Sequence, residues 1–170
     1  MRFGITDRFS IEIVLDRVSG GDWLFGKICY WVNGVEVGNF DEGTSLRDVL
    51  FMMTTIVADG SHRICPKLLE FSNEKTFSLI CNALDDEDET IYQYLPEDFQ
   101  PARFDIRIPV DVFDDWKIFL VEGEFDAKLI CRRLGAGDIE PVVMLRQGEF
   151  DDVLRQAYDY LDNIYKLAQS

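Results

Sequence analysis

Trp23 to Gly38 reads WLFGKICYWVNGVEVG, and the strand it encodes decides how the rest of the chain is placed. Trp23, Phe25, Cys29 and Trp31 fall on one parity and Leu24, Ile28, Tyr30 and Val32 on the other, with Lys27 the only charge among them. A strand apolar on both parities is expected in the middle of a sheet with both faces covered. The run stops at Asn33-Gly34, a pair that suits a type I′ turn because both central positions need φ > 0. The stretch therefore predicts a central strand returning through a tight hairpin, with Trp31 buried.

The flanking segments fit that placement. Phe9, Ile11, Ile13 and Leu15 alternate with Ser10, Glu12 and Asp16, the pattern of a strand over Phe9 to Val18 with one wet face. Ser19-Gly20-Gly21-Asp22 supplies a turn, so this strand and the two arms of the hairpin form an antiparallel meander. Thr44 or Ser45 then caps a helix, with Asp48 following Ser45 at capping-box spacing. Leu46, Val49, Leu50, Met53 and Val57 recur at helical intervals until Gly60. Pro66 forces Cys65 out of the helical region, which makes His62 to Pro66 a connector. A second helix opens at Ser72 or Asn73 and turns Phe77, Ile80, Cys81 and Leu84 inward.

Five consecutive acids, Asp85-Asp86-Glu87-Asp88-Glu89, cannot pack, and the stretch from there to Pro101 has no sustained period. Asp85 to Pro101 therefore reads as a long exposed loop of the kind that often carries function. Phe104, Ile106, Ile108 and Val110 alternate with Arg103, Asp105 and Arg107 as in a half-buried strand. Trp116 to Glu122 is a second run apolar on both parities, and Ala127 to Arg133 answers it across Gly123-Glu124-Phe125-Asp126. Ile139 to Leu145 fits a short edge strand, because Pro141 cannot sit in a central ladder. From Glu149 the stripe Phe150, Val153, Leu154, Ala157, Leu161, Ile164 and Ala168 defines a long C-terminal helix, with Asp151 and Asp152 at its positive end. The order β-β-β-α-α-β-β-β-α predicts an α+β fold in a single domain over residues 1–170. Its largely antiparallel sheet would hold about six strands in two meanders, packed by two or three helices.

Thirty-two acids against seventeen bases give a formal charge of −15 and a pI near 4.3. That sign argues against nucleic acid and against an anionic membrane, both of which need clustered Lys and Arg, and favours a basic protein partner. Cys29, Cys65, Cys81 and Cys131 have no C-x-x-C spacing, and the apolar runs around them suit reduced, buried thiols. The opening MRFGITDRFS lacks the apolar core of a secretion signal, and no window nears the ~18 apolar residues a membrane span needs. The cytoplasm is the expected compartment. His62 is the sole histidine and no G-x-S-x-G elbow occurs, so a hydrolytic triad lacks its parts. Zinc and phosphate-loop spacings are absent, and the acidic run lacks the glycine and glutamate that a calcium loop places at its sixth and twelfth positions. No metal, cofactor or catalytic residue is expected.

Carboxylates are the abundant functional group. Between Asp85 and Asp126, fourteen acids stand against Arg103, Arg107 and Lys117, which puts −11 of the −15 in a quarter of the chain. Such a field raises association rates with a basic protein by roughly 10- to 1000-fold and weakens with salt. Asp85, Asp86, Glu87, Asp88, Glu89, Asp111, Asp114 and Asp115 are the expected contacts, with Tyr92 and Tyr94 as aromatic anchors among them. A solvated loop whose tyrosines and Phe99 pin it to the body accounts for the acidic run without a partner. A small carboxylate-dependent enzyme built on Asp111, Asp114 and Asp115 is an alternative from another class, but no second kind of group converges on them in sequence. An acidic adaptor for an unrelated basic protein is a third reading.

Several segments in order, FSI (9–11), WLFGKICYWVNG (23–34), TSLRDVL (44–50), FDIRIPVDVFDDWKIFLVE (104–122) and GEFDDVLRQA (148–157), resemble bacterial immunity proteins of polymorphic toxin systems, specifically immunity protein family forty-two. The resemblance spans nearly the whole chain. It implies a cytoplasmic, non-enzymatic inhibitor that binds a cognate toxin domain, acts by steric and electrostatic blockade, and protects the producing cell or its siblings. The matching positions have mostly packing roles, and no catalytic residue is carried over. The toxin class stays open: an acidic inhibitor suits the phosphate-binding cleft of a basic nuclease, and deaminases and peptidases are alternatives.

Overall fold

The structure, a computed structural model, describes residues 1–17, 23–86 and 88–169. Strand β3 (Phe25–Val32) is the centre of the first sheet. One edge pairs with β2 (Phe9–Leu15), which in turn pairs with β1 (Arg2–Ile5); the other edge pairs with β4 (Val35–Val37) and β5 (Thr44–Ser45), all antiparallel. Asn33 and Gly34 take φ of 51° and 76°, as the hairpin requires. The turn expected at 19–22 lies outside the described residues. β1 escaped the sequence pattern because Phe3 and Ile5 are too few to show a period; pairing with β2 is what extends it.

Phe9, Ile11 and Ile13 of β2 and Ile28, Tyr30 and Val32 of β3 face one core and are buried. The opposite face of β3 differs from the expectation that a layer covers it. Phe25 is 44% exposed, and Trp31 is only half-buried. The Arg2 guanidinium lies 5.0 Å from the Trp31 ring, whose Nε1–H donates to Glu12 at 2.9 Å. Long polar side chains from neighbouring strands shield this face in place of a second layer.

The second sheet is β6 (Trp116–Glu122), β7 (Asp126–Arg133) and β8 (Val142–Arg146), antiparallel in that order. Here β6 has both faces covered. Ile118 and Leu120 join the first core, while Phe119 and Val121 join a second cluster with Leu68, Phe77 and Ile80. These last three come from α2 (Pro66–Leu69) and α3 (Asn73–Asp85). Helices α1 (Leu46–Ala58) and α4 (Glu149–Ala168) pack on each other and on the first sheet. Ser45 Oγ caps α1 by accepting from Asp48 N–H at 3.2 Å, and Ser72 Oγ caps α3 by accepting from Lys75 N–H at 3.3 Å. The aromatic centre is Phe9, Tyr30, Phe113 and Phe150, with ring centroids 4.9–5.5 Å apart along the chain of contacts. Each fully buried side chain of this size contributes about 1.5–3 kcal/mol by leaving water.

Two expected elements are different in the fold. The segment from Asp85 to Pro101 is not a bare loop: Asp85 ends α3, Glu89–Tyr94 forms a 3₁₀ helix, and Ile91 and Phe99 are buried, Phe99 stacking on Phe104 at 4.7 Å. Nor is 104–110 a strand. Phe104, Ile106 and Ile108 are buried, as the alternation demands, yet contact with β6 is limited to a bridge at Asp105–Phe119 and an Ile106 N–H to Ile118 carbonyl bond of 3.0 Å. The Asp105 carboxylate accepts from Arg107 N–H at 3.0 Å, and Val110 N–H turns back to the Ile108 carbonyl at 2.8 Å, so local bonds take the groups a ladder would use. β8 is the expected short edge strand, entered through a cis Glu140–Pro141 bond. The cysteines are free thiols, and burial raises the pKa of each. Among the described residues no helix is long and apolar enough to cross a membrane.

Candidate functional site

The two ends of β6 lie roughly 20 Å apart, at ~3.3 Å per residue, and this divides the acids that are continuous in sequence. Asp114 and Asp115 lie at its start, Asp85 is joined to it through Lys117, and Asp105 bridges to Phe119 midway along; Glu122, Glu124 and Asp126 lie at its far end. At the start, Lys117 Nζ donates to both oxygens of Asp85 at 2.7 and 2.8 Å. Arg107 donates to Asp114 at 3.1 Å and Arg133 to Asp115 at 3.5 Å. Asp105 lies among them; burial raises its pKa against the pull of the Arg107 backbone N–H, Arg107 and Lys117, and Asp85 adds to the rise.

The result is a rim on which Lys117, Arg107 and Arg133 are each engaged by an aspartate. Asp86, Asp88, Glu89 and Asp111 make no ion pair among the described residues. Hydrogen bonds from the Thr90 side chain and backbone, the N–H at 2.7 Å, hold Asp88 below the usual carboxylate range. Glu87 lies outside the described residues.

Beside Asp115 the rim dips into a recess of about 430 Å³ lined by Glu36, Glu42, Asp111, Asp115 and Arg133. Its geometry comes from contacts between distant segments. Asn39 N–H donates to the Val112 carbonyl at 2.8 Å, and Thr44 Oγ1 donates to Asp111 at 2.9 Å. Gly38 allows the approach: its φ is 113°, and a Cβ there would come within 3.0 Å of the Phe113 ring. Glu36 and Glu42 are the members of this surface that the sequence reading missed. No local pattern marks them, because only the packing of β4 and its following loop against 111–113 brings them in.

The tyrosines separate. Tyr92 is 49% exposed and remains on the surface. Tyr94 turns away: its ring packs edge-on against Phe71 at 5.0 Å and its carbonyl accepts from the Cys65 thiol at 3.4 Å, so it pins the segment to the body. Asp111, Asp114 and Asp115 each have a separate partner, Thr44, Arg107 and Arg133, and of the three only Asp111 and Asp115 line the same recess. Among the described residues no group of three or more His, Cys, Asp or Glu is arranged to hold a metal ion. His62 lines an open recess with Glu97, Asp98 and Arg103. The larger recess between α1 and α4, about 620 Å³, includes Asp151, whose carboxylate already accepts from Arg63 at 2.9 Å and from Ser61 N–H at 3.1 Å.

The crystal structure of CdiI from Burkholderia dolosa AUO158 is similar in fold, with a TM-score of 0.72 at 21% identity over 94% of this chain and 99% of that one. No curated protein matches the chain. The family model of Immunity protein 42 matches residues 1–160. The chain therefore belongs to the Immunity protein 42 family.

Proposed function

We propose that the chain acts as one unit, in the cytoplasm, to bind and neutralise a cognate toxin domain without catalysis. The observation that carries the reading is the family match across residues 1–160. The acidic rim supports the location: Asp85, Asp86, Asp88, Glu89, Asp111, Asp114 and Asp115, with Glu36 and Glu42, would be the negative contact surface near the start of β6, and Tyr92 its exposed aromatic; Glu87, the remaining acid of the run, lies outside the described residues. A basic toxin face docked there would be steered by the field and blocked by the body of the protein. The recess beside Asp115 suits a Lys or Arg of the toxin, whose cation would meet Glu36, Glu42 and Asp111, none of which is in an ion pair among the described residues.

Each rim carboxylate pays little desolvation while exposed, so the docking advantage falls mainly on the association rate. Co-expression with the product of the adjacent gene tests the reading. The expected result is a complex that survives purification, protects the cell and associates more slowly as salt rises. Failure both to bind and to protect would overturn it.

A further inference from the structure

We propose that the toxin domain is held on a second, aromatic surface, a ledge of Trp23, Phe25 and Val14 on the outer face of the first sheet. One basic domain would seat an apolar side chain there while its Lys or Arg enters the recess beside Asp115. The proposal rests on the toxin-binding reading and adds the part of the contact that retains the partner rather than steering it. The two ends of β3 differ on this face. At the Trp31 end Arg2 covers the ring and Glu12 takes its N–H. At the other end Trp23, 48% exposed, stacks on exposed Phe25 within 5° of parallel, with ring centroids 6.4 Å apart. Val14 extends the ledge onto β2: it is exposed and stands opposite Lys27, and directly opposed residues share a face. The Arg47 guanidinium lies 3.7 Å from the Trp23 ring centroid and supports it from beside. Exposed aromatics grouped with an arginine are the residue types that anchor interfaces.

The ledge is continuous with the recess. Glu36, which lines the recess, stands opposite Trp31 in the β3–β4 register and so lies on the same outer face. Its carboxylate accepts from Phe40 N–H at 3.1 Å, and the Phe40 ring lies 6.0 Å from the ammonium of Lys27, two residues along β3 from Phe25.

Charge identifies the occupant. The cations of this face are already engaged, Arg2 by Glu12, Arg47 by Asp48 and Lys27 by the Phe40 ring. Glu36, Glu42 and Asp111 on the recess side have no ion pair among the described residues. An apolar ledge bordered by unpaired carboxylates fits a partner whose apolar contact is flanked by Lys or Arg. A second copy of the chain would bring the same carboxylates and a formal charge of −15 against them.

Binding kinetics with the adjacent gene's toxin domain, at about 0.15 M salt, separate the two surfaces. Trp23 lies outside β3, and Phe25→Thr keeps a β-branched residue in the strand, so Trp23→Ala and Phe25→Thr are expected to unfold close to wild type. The two are measured separately, so a loss of fold in one leaves the other to decide. Each is expected to dissociate at least about tenfold faster, with association changed less than about twofold. Glu36→Gln combined with Glu42→Gln is expected to slow association instead and to flatten its salt dependence. Wild-type dissociation in the folded ledge variants overturns the ledge and leaves the toxin reading standing, whereas a wild-type chain that neither binds nor protects overturns both. Sedimentation velocity of the free chain at about 100 μM, where a micromolar dimer would be nearly complete, is expected to show a monomer. A dimer that Trp23→Ala abolishes would give the ledge to a second copy and overturn the proposal.

Discussion

Arg63 and Lys117 each hold an aspartate, and their surroundings give the two pairs opposite uses. Arg63 is wholly buried; it donates to Asp151 at 2.9 Å, to the Arg103 carbonyl at 2.9 Å and to the Ile56 carbonyl at 2.6 Å, tying α1, α4 and the 101–104 turn together. Lys117 holds Asp85 on the rim, where the carboxylate side chain is 48% exposed. The buried guanidinium has exchanged water for fixed acceptors, so removing it strands them. The exposed ammonium leaves water ready to replace it. The first pair therefore fixes architecture, and the second sets the surface field.

The largest stability effect is expected at the buried node. Arg63→Ala should cost about 3–5 kcal/mol in denaturant unfolding, since it strands Asp151 and two carbonyls. A loss below about 1 kcal/mol, the scale of an exposed pair, would erase the distinction. Trp31→Ala should cost less, about 1–2 kcal/mol, because its ring is stacked under Arg2 at the surface rather than enclosed. A loss as large as that at Arg63 would mean the outer face of β3 bears more of the fold than its exposure indicates.

Glu122 sharpens the comparison through pH. It is 1% exposed; Gly148 N–H donates to one carboxylate oxygen at 2.9 Å and the other has no hydrogen-bond partner. Burial raises its pKa above the ordinary 4.5, Gly148 N–H opposes the rise, Asp151 adds to it and Arg63 lowers it. A raised carboxylate favours the folded state while protonated. Its contribution is complete below the unfolded value of 4.5 and is lost as pH rises through the folded value. Glu122→Gln should therefore stabilise the protein at pH 7, on the order of 1 kcal/mol, and change little at pH 4. Equal effects at both pH values would contradict that account. The smallest effect belongs to the rim: Asp114→Asn, which loosens an exposed pair with Arg107, should shift stability by no more than about 0.5 kcal/mol.

The strands show what a sequence can and cannot reveal. Both β3 and β6 are apolar on both parities, and both have strand neighbours or bridges on either edge. Only β6 has a second layer, through Phe77 against Phe119 at 5.1 Å. Periodicity reports that a face is shielded from water; it does not say whether a helix or an arginine does the shielding. The alternation at 104–110 likewise identified the buried residues and missed the backbone, because Asp105 and Val110 satisfy local bonds that periodicity does not register. Most acids of the rim were legible as a charge block. Their separation from Glu122, Glu124 and Asp126 by the length of β6, and the arrival of Glu36 and Glu42 from β4 and its following loop, are tertiary facts with no local signature.

The central claim is that the rim serves the partner and the buried node serves the fold. It is tested most directly by measuring the affinity of a chain carrying Asp86→Asn, Asp88→Asn, Glu89→Gln, Asp114→Asn and Asp115→Asn for the adjacent gene's toxin domain at low and physiological salt. The account predicts an unfolding midpoint close to that of wild type, with association at least about tenfold slower at low salt and a flatter salt dependence. Unchanged association and unchanged salt dependence in a folded variant would contradict it.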